Sequence, residues 1–272
     1  MWCSLLLRIK RCPLCAGRKL TRAGSNVFYY HLYCASCDLL FVGNLPSESE
    51  INAKYQDNYL PVRYNEHLQF SPGKEENWAE WLRVRNEFLE KLGIEQIEAA
   101  VSGSRKVLEI GCAEGKQMEI FIRRGWEAVG VEVGRSMAFM GRQRGLNIIC
   151  DAFHEGIFAA GNFDLIIMSH VIEHFSDPLR TLEICRSILK NRGWLFLETP
   201  ATPIFSDTDH LFFFSEKSID LMCGKAGFVR IAHFFNRRSY DLTSDSCRFA
   251  YLDHYFRDGA KDYLAAYRKG DS

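Results

Sequence analysis

Between Lys106 and Pro200, short apolar runs alternate with segments whose apolar positions recur every three or four residues. Val107–Ile110, Trp126–Val133, Leu146–Cys150, Phe163–Ser169 and Trp194–Glu198 read as strands. Phe163–Ser169 (FDLIIMS) is apolar almost without alternation, which is the pattern of a parallel strand covered on both faces. The intervening segments read as helices. Lys116–Gly125 turns Met118, Phe121 and Ile122 inward, and Arg135–Arg144 ends at Gly145. A third helix opens on Asp177-Pro178, buries Leu179, Leu182, Cys185, Ile188 and Leu189, and closes at Arg192-Gly193. Five strands joined by helical crossovers predict an α/β, Rossmann-like, doubly wound and mostly parallel sheet.

Upstream the pattern changes. Glu75–Ala100 is helical in composition, with Trp78, Trp81, Leu82, Arg85, Phe88, Leu89 and Leu92 on one face and Gly93 as an interruption. Its expected role is to dock an N-terminal module against the larger domain. In that module, Val27–Tyr33 and Asp38–Val42 are β-prone, and Asn44–Glu50 is turn-rich and marks an edge. The tyrosine-dense Tyr55–Tyr64 reads as a packed linker or as a cap over a bound ligand. The division is a module over 1–45, a linker and amphipathic helix over 46–104, and the main domain over 105–272.

The ten cysteines change the picture of the module. Cys12-x-x-Cys15 and Cys34-x-x-Cys37 have the spacing of a four-thiolate zinc ribbon, with Pro13 and Gly17 as turn residues in the first knuckle. Four thiolates fill a tetrahedral ion, so a zinc bound there is structural. His31 lies inside the apparent strand and reads as a packing or surface residue. Lys and Arg balance Asp and Glu at 34 each, so no net field attracts nucleic acid or an anionic membrane. Met1–Lys10 is too short in apolar residues for a signal peptide, and a cytoplasmic location is the expectation.

Candidate chemistry centres on Lys106–Gly115, KVLEIGCAEG, a buried strand that stops at glycine and re-enters a helix. Such a turn aims free N–H groups at a ligand. The dinucleotide fingerprint is not met, because Ala113 and Lys116 stand where its second and third glycines belong. The acid Glu109 beside the turn suits an ammonium group better than a phosphate. Glu132 follows 23 residues later at the end of the second strand, close to the offset at which an acid meets ribose hydroxyls. The pattern E-x-G-x-x-x-G resembles motif I of class I S-adenosylmethionine-dependent methyltransferases. The resemblance covers roughly Arg105–Phe228, and the run from Ser169 to Pro200 is similar to ubiquinone-biosynthesis and sugar-modifying methyltransferases. It implies a seven-stranded sheet with one antiparallel strand, completed by Val229–Phe235 and Arg248–Tyr255, while Gly259–Arg268 reads as a short terminal helix. It also implies S-adenosylmethionine against Glu109, Ile110, Gly111, Cys112, Ala113, Gly115, Glu132, Val133, Asp151, Ala152, Phe153, Ser169 and His170. Asp151 has a competing reading as a helix N-cap.

Methyl transfer needs an aligned nucleophile and a group to take its proton. The candidates are His170, Glu173 and His174 after the fourth strand, and His210 in the Asp207–His210 loop. Some ubiquinone-pathway relatives carry E-x-x-E-H here and hold a divalent ion, whereas this chain has H-x-x-E-H, which puts that ion in doubt. The expected reaction is methyl transfer to oxygen or carbon of a small molecule, a sugar or another secondary or polysaccharide metabolite. The alternatives are an rRNA methyltransferase with a zinc recognition module and a non-catalytic, cofactor-binding partner protein.

Overall fold

The computed structural model describes residues 9–26, 28–57, 75–201, 209–237 and 261–270, with side chains over 75–80 and at 57 and 237 left aside. Seven strands form one sheet: β4 (Lys106–Ile110), β5 (Glu127–Val131), β6 (Ile148–Ile149), β7 (Phe163–Ser169), β8 (Leu189–Pro200), β10 (Phe228–Arg237) and β11 (Lys261–Lys269). Their order is β10-β11-β8-β7-β4-β5-β6. β4 pairs in parallel with β5 and β7, and the direction of winding reverses at β4. β11 runs antiparallel to both β8 and β10 and is the one reversed strand of this sheet among the described residues.

Alternating side chains along the strands sort into two cores. Leu108, Ile110, Ile166, Met168, Leu195 and Leu197 face one way and meet Leu182, Cys185 and Ile188 of α6 (Pro178–Ile188) and Ile219, Met222 and Cys223 of α7 (Glu216–Lys225). Val107, Leu165, Ile167 and Phe196 face the other way. They meet α2 (Glu75–Lys91), α3 (Ile94–Ala100), α4 (Lys116–Arg123) and α5 (Arg135–Gln143). Period-two alternation with apolar residues on both faces explains the near-continuous runs in the sequence.

The N-terminal module is an antiparallel ribbon of β1 (Leu20–Ser25), β2 (Tyr30–Cys34) and β3 (Leu39–Val42). Its sheet is completed by β9 (Phe212–Phe213), a strand from far along the chain, pairing Leu40 with Phe213 and Phe41 with Phe212. Cys12, Leu14, Leu39, Phe41 and Val42 belong to the core that holds α6 and α7. The described side chains of α2 pack in the other core, against the sheet.

Two other expectations change. Gly259–Arg268 is not a terminal helix: Lys261–Lys269 is a strand whose residues from Asp262 to Tyr267 are all buried. Inserted between two strands and covered on both faces, it lost the alternation that marks a strand, and Ala265-Ala266 gave it a helical composition. The Trp194–Glu198 strand starts earlier, at Leu189, and takes in Arg192 at φ 62°. The anticipated strand Arg248–Tyr255 lies outside the described residues. No helix among the described residues is long and apolar enough to cross a membrane.

One glycine of the organising turn is fixed by packing. Gly115 sits at φ 79° at the start of α4, and a Cβ there would lie 2.5 Å from Leu146 Cδ1. Gly115→Ala should lower unfolding stability by about 2–4 kcal/mol through left-handed strain and overpacking, as read by denaturant melts.

Candidate active site

A cavity of about 300 Å³ opens at the carboxyl ends of β4, β5 and β7, beside the strand where the winding reverses. That is where open α/β sheets bind ligands. Ile110, Gly111, Ala113, Glu132, Val133, Asp151, Ala152, Phe153, Ser169 and His170 all line it. Glu109, Cys112 and Gly115 do not and lie behind the wall, because strand alternation turns Glu109 toward the second core. Burial pushes the Glu109 carboxyl up to about 8, and Glu114 and Glu132 add to the effect while Arg85 opposes it.

The turn is built for close backbone approach. Gly111 has φ 67°, and a Cβ there would meet Val171 Cγ2 at 2.4 Å. Glu132 ties the turn to the next one: its Oε2 accepts from Ala113 N at 2.9 Å and its Oε1 from Gly134 N at 2.6 Å. Burial raises the pKa of this acid, and the two amides pull it back. Each oxygen keeps a lone pair that can accept a hydroxyl. Asp151 is exposed, and its Oδ1 accepts from Ala152 N at 2.8 Å; no helix follows, so it is not an N-cap.

The opposite wall comes from the loop after β7. His170 is left-handed at φ 54°, a conformation that costs about 1–3 kcal/mol. Its Nδ1 lies 3.7 Å from Glu173 Oε1, and its Nε2 lies 3.5 Å from Glu198 Oε1 and 3.9 Å from Asp262 Oδ2. Burial would lower its pKa, but hydrogen bonding and charge from Glu173 and Glu198 prevail and hold it at about 10. His170 is therefore an imidazolium at neutral pH. In that form it is suited to donate a hydrogen bond.

Glu173 is fully buried, in a 3-10 turn spanning Ile172–His174. Burial would raise its pKa, yet the histidines at 170, 174 and 210 draw it down to about 2. Its Oε2 accepts from Thr199 Oγ1 at 3.2 Å. His174 lines the cavity, with Nδ1 2.9 Å from the Asp209 carbonyl and 2.8 Å from Tyr55 Oη. A carbonyl only accepts, so Nδ1 carries a proton and donates it. His210 does not line the cavity; it lies behind, its ring 4.8 Å from that of His174. The H-x-x-E-H motif is split between two donor sets, each with its atoms within 4.8 Å: Glu173, His174 and His210, and His170, Glu198 and Asp262.

Arg85 and Glu198 escaped the sequence reading, and so did the helix that carries Tyr55, although Tyr55 itself opened the stretch read as a linker or a cap over a ligand. Tyr55, with Glu48, Ile51 and Asn52, comes from helix α1 (Glu48–Asp57), which walls the cavity. A capping box announces that helix: Ser47 N donates to Glu50 Oε2 at 2.8 Å, and Glu50 N donates to Ser47 Oγ at 3.3 Å. Arg85 of α2 reaches Glu198 Oε2 at 2.8 Å. Glu198, buried at the end of β8, has its pKa lowered by Arg85 and His170 against the effect of burial.

In the module the four Sγ atoms of Cys12, Cys15, Cys34 and Cys37 all lie within 4.8 Å of one another. The Cys12–Cys37 and Cys15–Cys34 separations are 3.6 and 3.5 Å. A tetrahedral ion with metal–sulfur bonds of about 2.3 Å needs sulfurs about 3.8 Å apart, whereas a disulfide needs about 2 Å. The donor set fits a tetrahedral metal. His31 is fully buried against Phe213, ring centroids 5.7 Å apart, and burial lowers its pKa to about 4. Of the two readings of His31, packing is the one the structure shows.

A doubly wound sheet with a ligand cavity at its reversal point, an acid clamping the glycine turn and a histidine-rich loop opposite defines a nucleotide-cofactor enzyme fold. The family model for the methyltransferase domain matches residues 79–233, more than half of the chain, and the chain belongs to that family. It is 24% identical over 113 residues to a ubiquinone biosynthesis O-methyltransferase of Bordetella avium, covering 39% of this chain and 46% of that one. The same-named protein of Pseudomonas aeruginosa strain LESB58 is 28% identical over 109 residues, covering 38% and 47%. The chain thus spans about half the length of these curated relatives. Among solved structures, a SAM-dependent methyltransferase from Archaeoglobus fulgidus superposes with a TM-score of 0.54 at 18% identity, over 71% of this chain and 94% of that one.

Proposed function

We propose that this chain transfers a methyl group from S-adenosylmethionine to oxygen or carbon of a small molecule. The observation that carries the reading is the cavity itself: its wall holds Glu132, an acid able to accept ribose hydroxyls, Gly111 and Ala113, which permit close backbone approach, and His170 from the loop after β7. The cofactor supplies an activated methyl group when bound. Asp151, Ala152 and Phe153 would hold the adenine end, and Ser169 and His170 would stand toward the reacting end. Glu109 sits behind the turn, outside the cavity lining.

The chain's own contribution is alignment and proton removal. His170 donates to the acceptor oxygen and orients it. The acceptor's proton passes to the other ring nitrogen of His174, whose Nδ1 is held by the Asp209 carbonyl and Tyr55. A sugar or related metabolite is the acceptor class favoured by the resemblance, and a cavity walled by α1 suits a small molecule better than a polynucleotide. Zinc in the four-cysteine module completes the assignment.

Titration calorimetry with S-adenosylhomocysteine tests this directly. One site per chain is expected; absence of binding, or preference for a dinucleotide, removes the assignment. RNA binding that weakens steeply with salt would transfer the reading to the rRNA alternative.

A further inference from the structure

We propose that the four-cysteine module is a positioning element for the catalytic loop, so that metal bound to Cys12, Cys15, Cys34 and Cys37 governs binding in the cavity. The inference deepens the proposed function and rests on it in one arm of its test.

Three connections carry it. The first is a backbone ladder. Val42 N, at the end of β3, donates to the Leu211 carbonyl at 2.9 Å, and Leu211 N donates to the Glu173 carbonyl at 2.9 Å. One residue of β3 is thus two hydrogen bonds from the turn that carries Glu173 and His174. The second is helix α1, which follows β3 after only the segment 43–47. Its Tyr55 meets His174 Nδ1 at 2.8 Å, and its neighbour Lys54 forms an ion pair with Asp209, whose carbonyl takes the other hydrogen bond from His174. The same helix lines the cavity through Glu48, Ile51 and Asn52. The third is the seam with α7: Lys225 Nζ donates to the Leu14 carbonyl at 2.6 Å, and Lys217 Nζ lies 3.2 Å from Asp38 Oδ2.

The ribbon has few means of holding this geometry alone. β1, β2 and β3 are six, five and four residues long and β9 adds two, so this small sheet depends on its packing and on a metal to fix the two knuckles. Cys34 closes β2, and Cys37 lies two residues before β3. A metal joining the two knuckles therefore fixes where β3 begins, and β3 fixes Leu211 and the turn. Loss of the metal would free helix α1 and the catalytic loop, while β4 and β7, each hydrogen-bonded on both edges and packed on their far face by the second core, remain.

The test uses the full zinc-loaded chain. Hydrogen exchange is followed before and after chelation, and S-adenosylhomocysteine affinity is measured in both states. Chelation is expected to lower protection of the Val42 and Leu211 amides and of α1 at least tenfold, to leave Leu108 and Ile166 protected, and to weaken the ligand at least tenfold, with zinc alone restoring both. Unchanged exchange at Leu211 overturns the proposal, and so does loss of protection across Leu108 and Ile166, which would make zinc a ligand for global folding. The double variant Lys54→Ala/Tyr55→Phe leaves the cysteines intact; it should keep one zinc and lose about tenfold in affinity, while Lys54→Arg retains affinity. Full affinity in the double variant also overturns it. If the zinc-loaded chain binds no S-adenosylhomocysteine, the cofactor reading fails, and the exchange arm still decides this one.

Discussion

Glu132→Ala should weaken S-adenosylhomocysteine binding about 100- to 10,000-fold, read by calorimetry, while the chain stays folded. Two ribose hydroxyls donating to one carboxylate are charge-assisted bonds worth about 1.5–3 kcal/mol each, and the alanine loses both. It also releases Ala113 N and Gly134 N, the two amides that the acid holds at 2.9 and 2.6 Å. Those amides border the cavity, where water can replace the carboxylate, so the stability cost is smaller, about 1–2 kcal/mol. Glu132→Gln should bind little better. Its amide nitrogen must face either the Ala113 or the Gly134 N–H, a donor against a donor. Affinity within threefold of the parent in both variants would remove Glu132 from the site.

The strand–turn–helix around Gly111 and the offset to Glu132 were legible because both are local: a backbone turn and one sheet spacing fix them. The doubly wound core was legible for the same reason, since each strand and helix declares itself over a short window. What failed was long-range. β11 is sandwiched between β8 and β10, so burial on both faces erased the alternation that marks strands. Helix α1 carried little apolar periodicity, yet Ser47-x-x-Glu50 was a readable start signal that went unused. Arg85 had a signal too: a cation on the apolar face of α2, between Leu82 and Phe88, has to find a buried anion. Its partner Glu198, from the far end of β8, could not be named from spacing. The split of H-x-x-E-H was equally invisible, because it depends on the left-handed turn of His170 and on Asp262 arriving from β11.

That buried network makes the second large prediction. Glu198→Ala should destabilise the chain by about 3–5 kcal/mol, because it removes the ion-pair partner of Arg85 in a poorly hydrated site and one of the three carboxylates around His170. A domain of ordinary stability would lose a large share of its total. The loss should be coupled. In the Arg85→Met/Glu198→Ala double variant the stranded guanidinium is gone, so the combined cost should fall below the sum of the single costs. The pH dependence follows from the signs. The His170 pKa is raised to about 10, so its contribution is complete below about pH 6.5, its unfolded value, and is lost as pH climbs through 10. The Glu173 pKa is lowered to about 2, so its contribution is complete above about pH 4.5 and is lost as pH falls through 2. Parent stability should therefore be greatest between those limits and decline slowly on the alkaline side. Removing Glu198 takes away one of the carboxylates that hold the His170 proton, so in the variant the alkaline decline should begin at lower pH. Denaturant melts at pH 6, 8 and 9.5 measure it: parallel pH profiles for parent and Glu198→Ala would mean that Glu198 does not hold the charge on His170.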